Sequence, residues 1–475
     1  MKPENPFPAA DARSQHDVPQ QVLGVREAVA IIVGIVVGAG IFKAPAMVAG
    51  MAGNATWMFA AWLLGGVMSL IGALCYAELA TAYSHSGGDY HFLRRAYGRS
   101  VAFLFGWARF SVITTGSIAL LAFVFGDYMH QILPLPGLGK TVSQSTYAAA
   151  SIAVLSWVNL RGTRTGASTQ SWLTAVEVLG LLLIVVAALV VPGQAEPVLP
   201  ATQQTAPSAA SLGMAMVFVL LTYGGWNEAA YISAEMKDVR RNMVKSLVWS
   251  IFIITALYLL VTWAYWKVLG MNGMSRSDAV AADMLQVAFG DTGARLVSAI
   301  VAISALTSIN ATMIVGARTS YAIGRDWQIL SVLGTWDGRR GTPVNALRIQ
   351  CAAALLLVAV GTWTGSGFKS MVEFTAPVFW LFFLLSGISL FVLRAREPAT
   401  ERPFKVPLYP ALPALFCATC AYMLWSSLSY VYSQSLGGLN AAWIGVAVLA
   451  IGLVLLLLMR ARSERRRQSA FRSIS

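Results

Sequence analysis

Two glycine clusters inside otherwise apolar runs give this chain the means to hold a small charged molecule. The first reads Gly34-Ile35-Val36-Val37-Gly38-Ala39-Gly40-Ile41-Phe42 and ends near Pro45; the second reads Thr222-Tyr223-Gly224-Gly225-Trp226-Asn227. Glycine costs roughly 1 kcal/mol per residue in a helix interior, and one such cluster alone would favour close helix packing. Two of them change the reading. A half-helix that begins at a break presents unpaired N–H groups and a partial positive charge, which suits a carboxylate, while the carbonyls freed at the break suit an ammonium. A ligand with both groups is an amino acid. The remaining candidate is Glu177, within the apolar stretch Thr169 to Leu179. A carboxyl group there must be protonated, paired, hydrogen-bonded for structure or bound to a cation.

The elements that position these residues are membrane spans. Of 475 residues, 57% are hydrophobic and only 12% charged, and the mean hydropathy is +0.65, too apolar for a chain covered by water. Windows long enough to cross roughly 30 Å of hydrocarbon fall at about 25–48, 54–82, 97–130, 145–160, 168–191, 211–235, 243–270, 293–324, 344–362, 369–395, 410–432 and 438–461. Twelve spans place both termini on one side. Arg94, Arg95, Arg99, Arg161, Arg164, Lys237, Arg240, Arg241, Lys245, Arg339, Arg340, Arg394, Arg396, Arg402, Lys405 and the tail Arg460 to Arg472 then share that side, which the positive-inside rule makes cytoplasmic. The net charge of +13 is thereby explained by orientation and lipid contact, without nucleic acid. If spans one to five and six to ten are repeats, the two glycine clusters occupy corresponding positions, the sequence pointer to a transporter site near the midplane.

Other chemistries find little support. Cys75, Cys351, Cys417 and Cys420 all fall in apolar segments, so no disulfide framework is expected, and the Cys417/Cys420 pair lacks the second pair or the histidine of a metal site. His16, His85, His91 and His130 form no HExxH. Gly139-Lys140-Thr141 imitates the end of a phosphate loop, but Pro134 stands where its first glycine belongs. Neither a metal nor a cofactor is expected. Met1 to Gln21 is polar and lacks the layout of a signal peptide, so the first apolar helix should be retained.

Four motifs in order resemble the amino acid-polyamine-organocation superfamily, and within it the L-type amino acid transporters and their bacterial relatives. They are Val33-Gly34 through Gly38-Ala39-Gly40-Ile41-Phe42; Ala73-Leu74-Cys75-Tyr76-Ala77-Glu78-Leu79 with Ser86-Gly87-Gly88-Asp89-Tyr90; Tyr223-Gly224-Gly225-Trp226-Asn227 with Glu235-Met236; and Glu401-Arg402-Pro403-Phe404-Lys405-Val406-Pro407. The resemblance implies an all-α membrane protein of twelve helices in the leucine-transporter fold, two inverted five-helix repeats (about 25–191 and 211–395) plus two extra helices (about 410–461). A cytoplasmic arm, 1–24, precedes the single transmembrane domain 25–461, and a basic tail, 462–475, follows it.

Carried over by position, the resemblance implies that Gly38, Ala39, Gly40 and Ile41, with Val36 beside them, face the substrate carboxylate, and that carbonyls around Leu221 to Gly224 take its ammonium. Ala39 replaces the family's usual serine, and Leu221 stands where relatives place an aromatic outer gate. Asn227, Ser304 and Ser308 match polar lining positions, or are interhelical hydrogen-bond partners. Tyr223 and Trp226 either line the site or pack the bundle. Glu177 stands where sodium-independent relatives commonly carry a lysine, which makes it the candidate coupling residue. Glu78 and Glu235 match motif positions near helix ends and read as anchors. Glu228 and Arg109 are further intramembrane charges to which the sequence assigns no partner.

The expectation is a secondary amino acid permease, not an enzyme, working by alternating access on a neutral L-amino acid, proton-linked or by exchange. A cationic amino acid or polyamine carrier, with Glu177 as counter-charge, and a sodium-coupled permease are the alternatives. The loop Asp127 to Ser145 has no cysteine, so no disulfide-linked heavy subunit is expected.

Overall fold

The computed structural model describes residues 24–85, 88–161, 179–191, 207–232, 236–337, 342–363, 367–433 and 441–472. The helices are α1 (Val25–Val36), α2 (Ala44–Ala52), α3 (Ala55–Ala82), α4 (Gly88–Tyr97), α5 (Arg99–Ala108), α6 (Thr115–Ile132) and α7 (Lys140–Arg161). Next come α8 (Leu179–Val190), then α9 (Ala209–Thr222), α10 (Ala229–Ile232), α11 (Val239–Arg276, kinked at Gly270), α12 (Val280–Asp326, kinked at Gly290), α13 (Val344–Trp363), α14 (Gly367–Arg396), α15 (Ala411–Ser433) and α16 (Ala441–Arg472). A π-helical turn, Arg109–Thr114, joins α5 to α6 in one continuous span. Among the described residues Asp337 and Thr342 form an isolated β bridge.

Eight of these helical runs are long and apolar enough to cross a bilayer, and α8 and Trp443–Met459 are shorter apolar helices. The burial pattern is that of a protein solvated by lipid. On α3, Leu63, Leu64 and Val67 lie outward, while Trp62, Gly65, Gly66, Ser69 and Tyr76 are buried. Polar residues thus point inward and leucines outward, the reverse of a soluble helix. Small residues set the packing distance: a Cβ on Gly65 would stand 2.3 Å from Val219 Cγ1, and one on Gly66 would stand 2.4 Å from Thr255 Oγ1. Helices approach this closely in membranes because van der Waals contact must replace the missing hydrophobic drive.

One end of the bundle is rich in arginine. There Glu78 of α3 accepts from Arg394 Nε at 2.7 Å and Nη2 at 2.5 Å, and from the Val406 N–H at 2.7 Å. Arg402 donates to the carbonyls of Leu393, Thr400 and Glu397, each at 3.0 Å. The Glu401 to Pro407 motif is therefore a lashing that ties the α14–α15 connection to α3. Asp89, at the start of α4, accepts from Tyr76 at 2.5 Å and Ser386 at 2.9 Å. Burial raises its carboxyl above the usual range, against the pull of Tyr76, Arg109 and Ser386. The opposite end of the bundle carries Lys43, Asp127, Lys140 and Asp278, with Lys140 bonded to Asp278. Burial raises the Asp278 carboxyl, but the Lys140 hydrogen bond and the charges of Lys43 and Lys140 outweigh it, so the net shift is downward.

Candidate functional site

Both glycine clusters break their helices. In the first, α1 ends at Val36, Gly38 is extended (φ −125, ψ −165), a 3-10 turn spans Ala39–Phe42, and α2 starts at Ala44. The Gly38 N–H turns back to the Val36 carbonyl at 2.9 Å. Among the described residues the Gly40 N–H has no acceptor, as befits the first turn of a helical segment. In the second, α9 ends at Thr222, Gly225 takes a left-handed conformation (φ 110), and a 3-10 turn spans Trp226–Glu228 before α10. The Gly224 N–H is closed onto the Leu221 carbonyl at 3.0 Å.

The two breaks lie against each other. A Cβ on Gly225 would stand 3.0 Å from Ile35 Cγ2 and 3.4 Å from Val36 Cγ2, and one on Gly40 would stand 3.3 Å from Thr222 Cγ2. A third element closes the cluster: a Cβ on Gly38 would stand 2.8 Å from Ser308 Oγ of α12. The structure therefore brings Val36, Gly38, Gly40, Thr222 and Ser308 together. The carbonyls freed at both breaks share one donor, since Tyr258 of α11 places its hydroxyl 2.8 Å from Val36 O and 3.0 Å from Thr222 O. Ile41, Asn227 and Ser304 are buried, and Leu221 is half-buried. Ala39 contributes backbone to the first 3-10 turn.

Tyr223 and Trp226 have their rings engaged in bundle packing. Tyr223 packs on Trp62 and Tyr258, with centroids at 6.1 and 5.1 Å, and its hydroxyl donates to the Trp62 carbonyl at 3.1 Å. Trp226 meets Tyr76 at 5.3 Å and Phe383 at 5.5 Å. It also borders a small apolar recess with Met68, Leu220, Gly224, Phe383 and Phe416, which takes no wall from α1 or α12. Glu177 and Glu235 lie outside the described residues.

Glu228 and Arg109, unpartnered in the sequence reading, pair with each other: Arg109 Nη2 lies 3.0 and 3.1 Å from the two Glu228 carboxylate oxygens. Sequence reasoning also missed Tyr258, one of many aromatic residues in Leu257 to Trp266, and Lys43, whose Nζ lies 2.7 Å from Asp127 Oδ2. A local signal for the charged pair was present. Lys43 follows Gly40 by three residues, and Glu228 follows Gly225 by three. Among the described residues no cluster of His, Cys, Asp or Glu is suited to a metal ion.

Residues 23–462 match the family model described as amino acid permease. The chain is 30% identical over 411 residues to the human b(0,+)-type amino acid transporter 1, covering 85% of this chain and 82% of that protein. It is 28% identical over 412 residues to the human Asc-type amino acid transporter 1, covering 85% and 76%. A similar match, 29% over 415 residues with the same coverage, is to the mouse large neutral amino acids transporter small subunit 2. With two broken helices meeting at backbone groups suited to a carboxylate and an ammonium, and with a family match across nearly the whole chain, this multi-pass membrane protein belongs to the amino acid permease family of the amino acid-polyamine-organocation superfamily.

Proposed function

We propose that the protein moves a neutral L-amino acid across the inner or plasma membrane by alternating access. The observation that carries this reading is the juxtaposition of the two breaks, with Gly40 beside Thr222 and Gly225 beside Val36. The carboxylate would accept from N–H groups of the turn Ala39 to Ile41, with Gly38, whose own N–H bonds Val36 O, supplying the bend, and the ammonium would donate to carbonyls from Leu221 to Gly224. Asn227, Ser304 and Ser308 supply polar lining, and Leu221 covers the site less fully than an aromatic gate would. The arginine-rich end is cytoplasmic in this reading, together with both termini, and the helices form the twelve-span fold of two inverted repeats plus two.

A neutral substrate is favoured over a cationic one because the half-buried carboxylate beside the second break, Glu228, is already engaged by Arg109. The name of the mouse relative, a large neutral amino acids transporter, points the same way. Transport is proton-linked or by exchange, with Glu177 as the coupling residue, and Glu177→Gln should flatten the pH dependence of uptake. This reading includes no disulfide-linked heavy subunit, the loop Asp127 to Ser145 being free of cysteine. Counterflow in proteoliposomes with leucine, arginine and putrescine as competitors tests the reading. Leucine should compete; competition by arginine and putrescine without leucine would favour a cationic carrier.

A further inference from the structure

Each broken helix carries a charge directly beyond its break, and both charges reach the same span. On the first, Lys43 follows the 3-10 turn and is 5% exposed; its ammonium lies 2.7 Å from Asp127 of α6 and 2.5 Å from the Asp278 carbonyl. The next residue of α6, Tyr128, donates to the Phe42 carbonyl at 2.7 Å. Two consecutive residues of α6 thus grip two consecutive residues of the broken helix. On the second, Glu228 ends the 3-10 turn and accepts both bonds from Arg109, the first residue of the π-helical turn.

Arg109 and Asp127 lie on one continuous run, Arg99–Ile132. Their separation of eighteen residues corresponds to about 27 Å at 1.5 Å per residue, close to the roughly 30 Å of the hydrocarbon core. The signs are crossed: a cation on the first broken helix meets an anion on this span, and an anion on the second meets a cation. The half-helices so held lead to opposite ends of the bundle. From Lys43, α2 runs toward the end that carries Asp278. From Glu228, α10 runs toward the arginine-rich end.

We propose that the Lys43–Asp127 and Arg109–Glu228 ion pairs are the two bolts of alternating access, one holding α2 and the other α10 against the span Arg99–Ile132, and that either end opens only when its own bolt parts. Both pairs are formed in the present structure. Lys43 and Asp127 are buried and Arg109 faces a half-buried Glu228; each pair costs desolvation as well as gaining attraction, so each bolt can part and re-form without a deep trap. The inference rests on the transport reading above, and it makes Lys43, Asp127, Arg109 and Glu228 positioning residues that contact no substrate.

The test reads which side of the membrane gains access. The four native cysteines, Cys75, Cys351, Cys417 and Cys420, are replaced, and Ser308→Cys is introduced beside Gly38 as a reporter. Labelling by a membrane-impermeant maleimide is then timed in right-side-out and inside-out vesicles. Glu228→Gln should speed labelling from the arginine-rich side by about tenfold, about 1.4 kcal/mol of shifted equilibrium, and slow it from the other side. Asp127→Asn should do the reverse. Equal acceleration from both sides, or no change from either, would overturn the proposal. If the single variants fail to fold, the exchanged pair Arg109→Glu with Glu228→Arg keeps the attraction and should return the unmodified rates; a folded exchanged pair that labels faster from both sides would also overturn it. These rates need no substrate. Counterflow is measured on the unmodified protein, since the reporter replaces a lining residue: no amino acid counterflow there with intact side-specific shifts would refute the transport reading alone, and counterflow without such shifts would refute the bolts alone.

Discussion

The hydroxyl of Tyr258 lies 2.8 Å from the carbonyl oxygen of Val36, the last residue of α1. The same hydroxyl lies 3.0 Å from the Thr222 carbonyl, the last of α9, so a single side chain on α11 serves the frayed ends of both broken helices. One proton cannot satisfy two carbonyls at full strength, which leaves acceptor capacity at the place proposed for the ammonium. Tyr258→Phe removes the donor; Val36 O keeps the Gly38 N–H, but the Thr222 carbonyl loses its hydroxyl partner, a loss of about 1–3 kcal/mol. Transport should fall at least tenfold while the protein still reaches the membrane. Uptake kinetics and thermal unfolding of the purified variant check both parts.

Two glycines with the same backbone handedness should respond unequally to the same substitution. Gly225 (φ 110) has Ile35 Cγ2 3.0 Å from the position of an added Cβ, whereas Gly53 (φ 74) has nothing within 4 Å. Alanine in either place bears the left-handed strain of about 1–2 kcal/mol, but only Gly225→Ala also pushes the breaks apart. Gly225→Ala should abolish uptake, and Gly53→Ala should lower the unfolding temperature while sparing transport.

The spans were legible because bilayer thickness imposes length: the windows 54–82 and 344–362 became Ala55–Ala82 and Val344–Trp363. The breaks were legible because glycine clusters twice. Ends were blurred where polar residues continue a helix beyond the hydrocarbon, as at Lys140 of α7 and at the start of α11, which begins at Val239 rather than 243, whereas the far bound of that window, 270, coincides with the break at Gly270 (φ 65). The helix α4 was missed because its apolar residues are too few to fill a span. The pairings Lys43 to Asp127 and Arg109 to Glu228 join residues 84 and 119 apart in sequence. No local periodicity carries such information; it exists only once the breaks and the third span are packed.

Glu78 holds together three segments at the arginine-rich end, and its side chain is 2% exposed. Glu78→Gln removes the charge facing Arg394 and weakens the bond from Val406. Loss of one partner of a buried pair costs about 3–5 kcal/mol, near the lower end here because Arg394 is at the rim. The variant should show a clearly lower unfolding temperature in detergent. An unchanged temperature would show that the α14–α15 lashing contributes little.

His91 of α4 stacks on His85 with ring centroids 4.3 Å apart. Burial pushes its pKa down to about 4, helped by the charges of His85, Arg95 and Arg94. A histidine depressed on folding contributes stability above its ordinary pKa near 6.5, and loses it as pH falls toward 4, because the unfolded chain takes up the proton first. The contribution is about 1–2 kcal/mol once the partly solvated ring is allowed for. Unfolding temperatures between pH 7.5 and 4.5 should fall less steeply for His91→Phe than for the unmodified protein; parallel curves would remove His91 from the acid response.

Capture of the substrate by backbone groups at the paired breaks is decided by competition in counterflow. A transported amino acid should be displaced by its own unlabelled form, and its amide or methyl ester should compete at least tenfold more weakly, because neither can present a carboxylate to the N–H groups of the turn Ala39 to Ile41. An amide or ester that competes as well as the parent amino acid would contradict that arrangement.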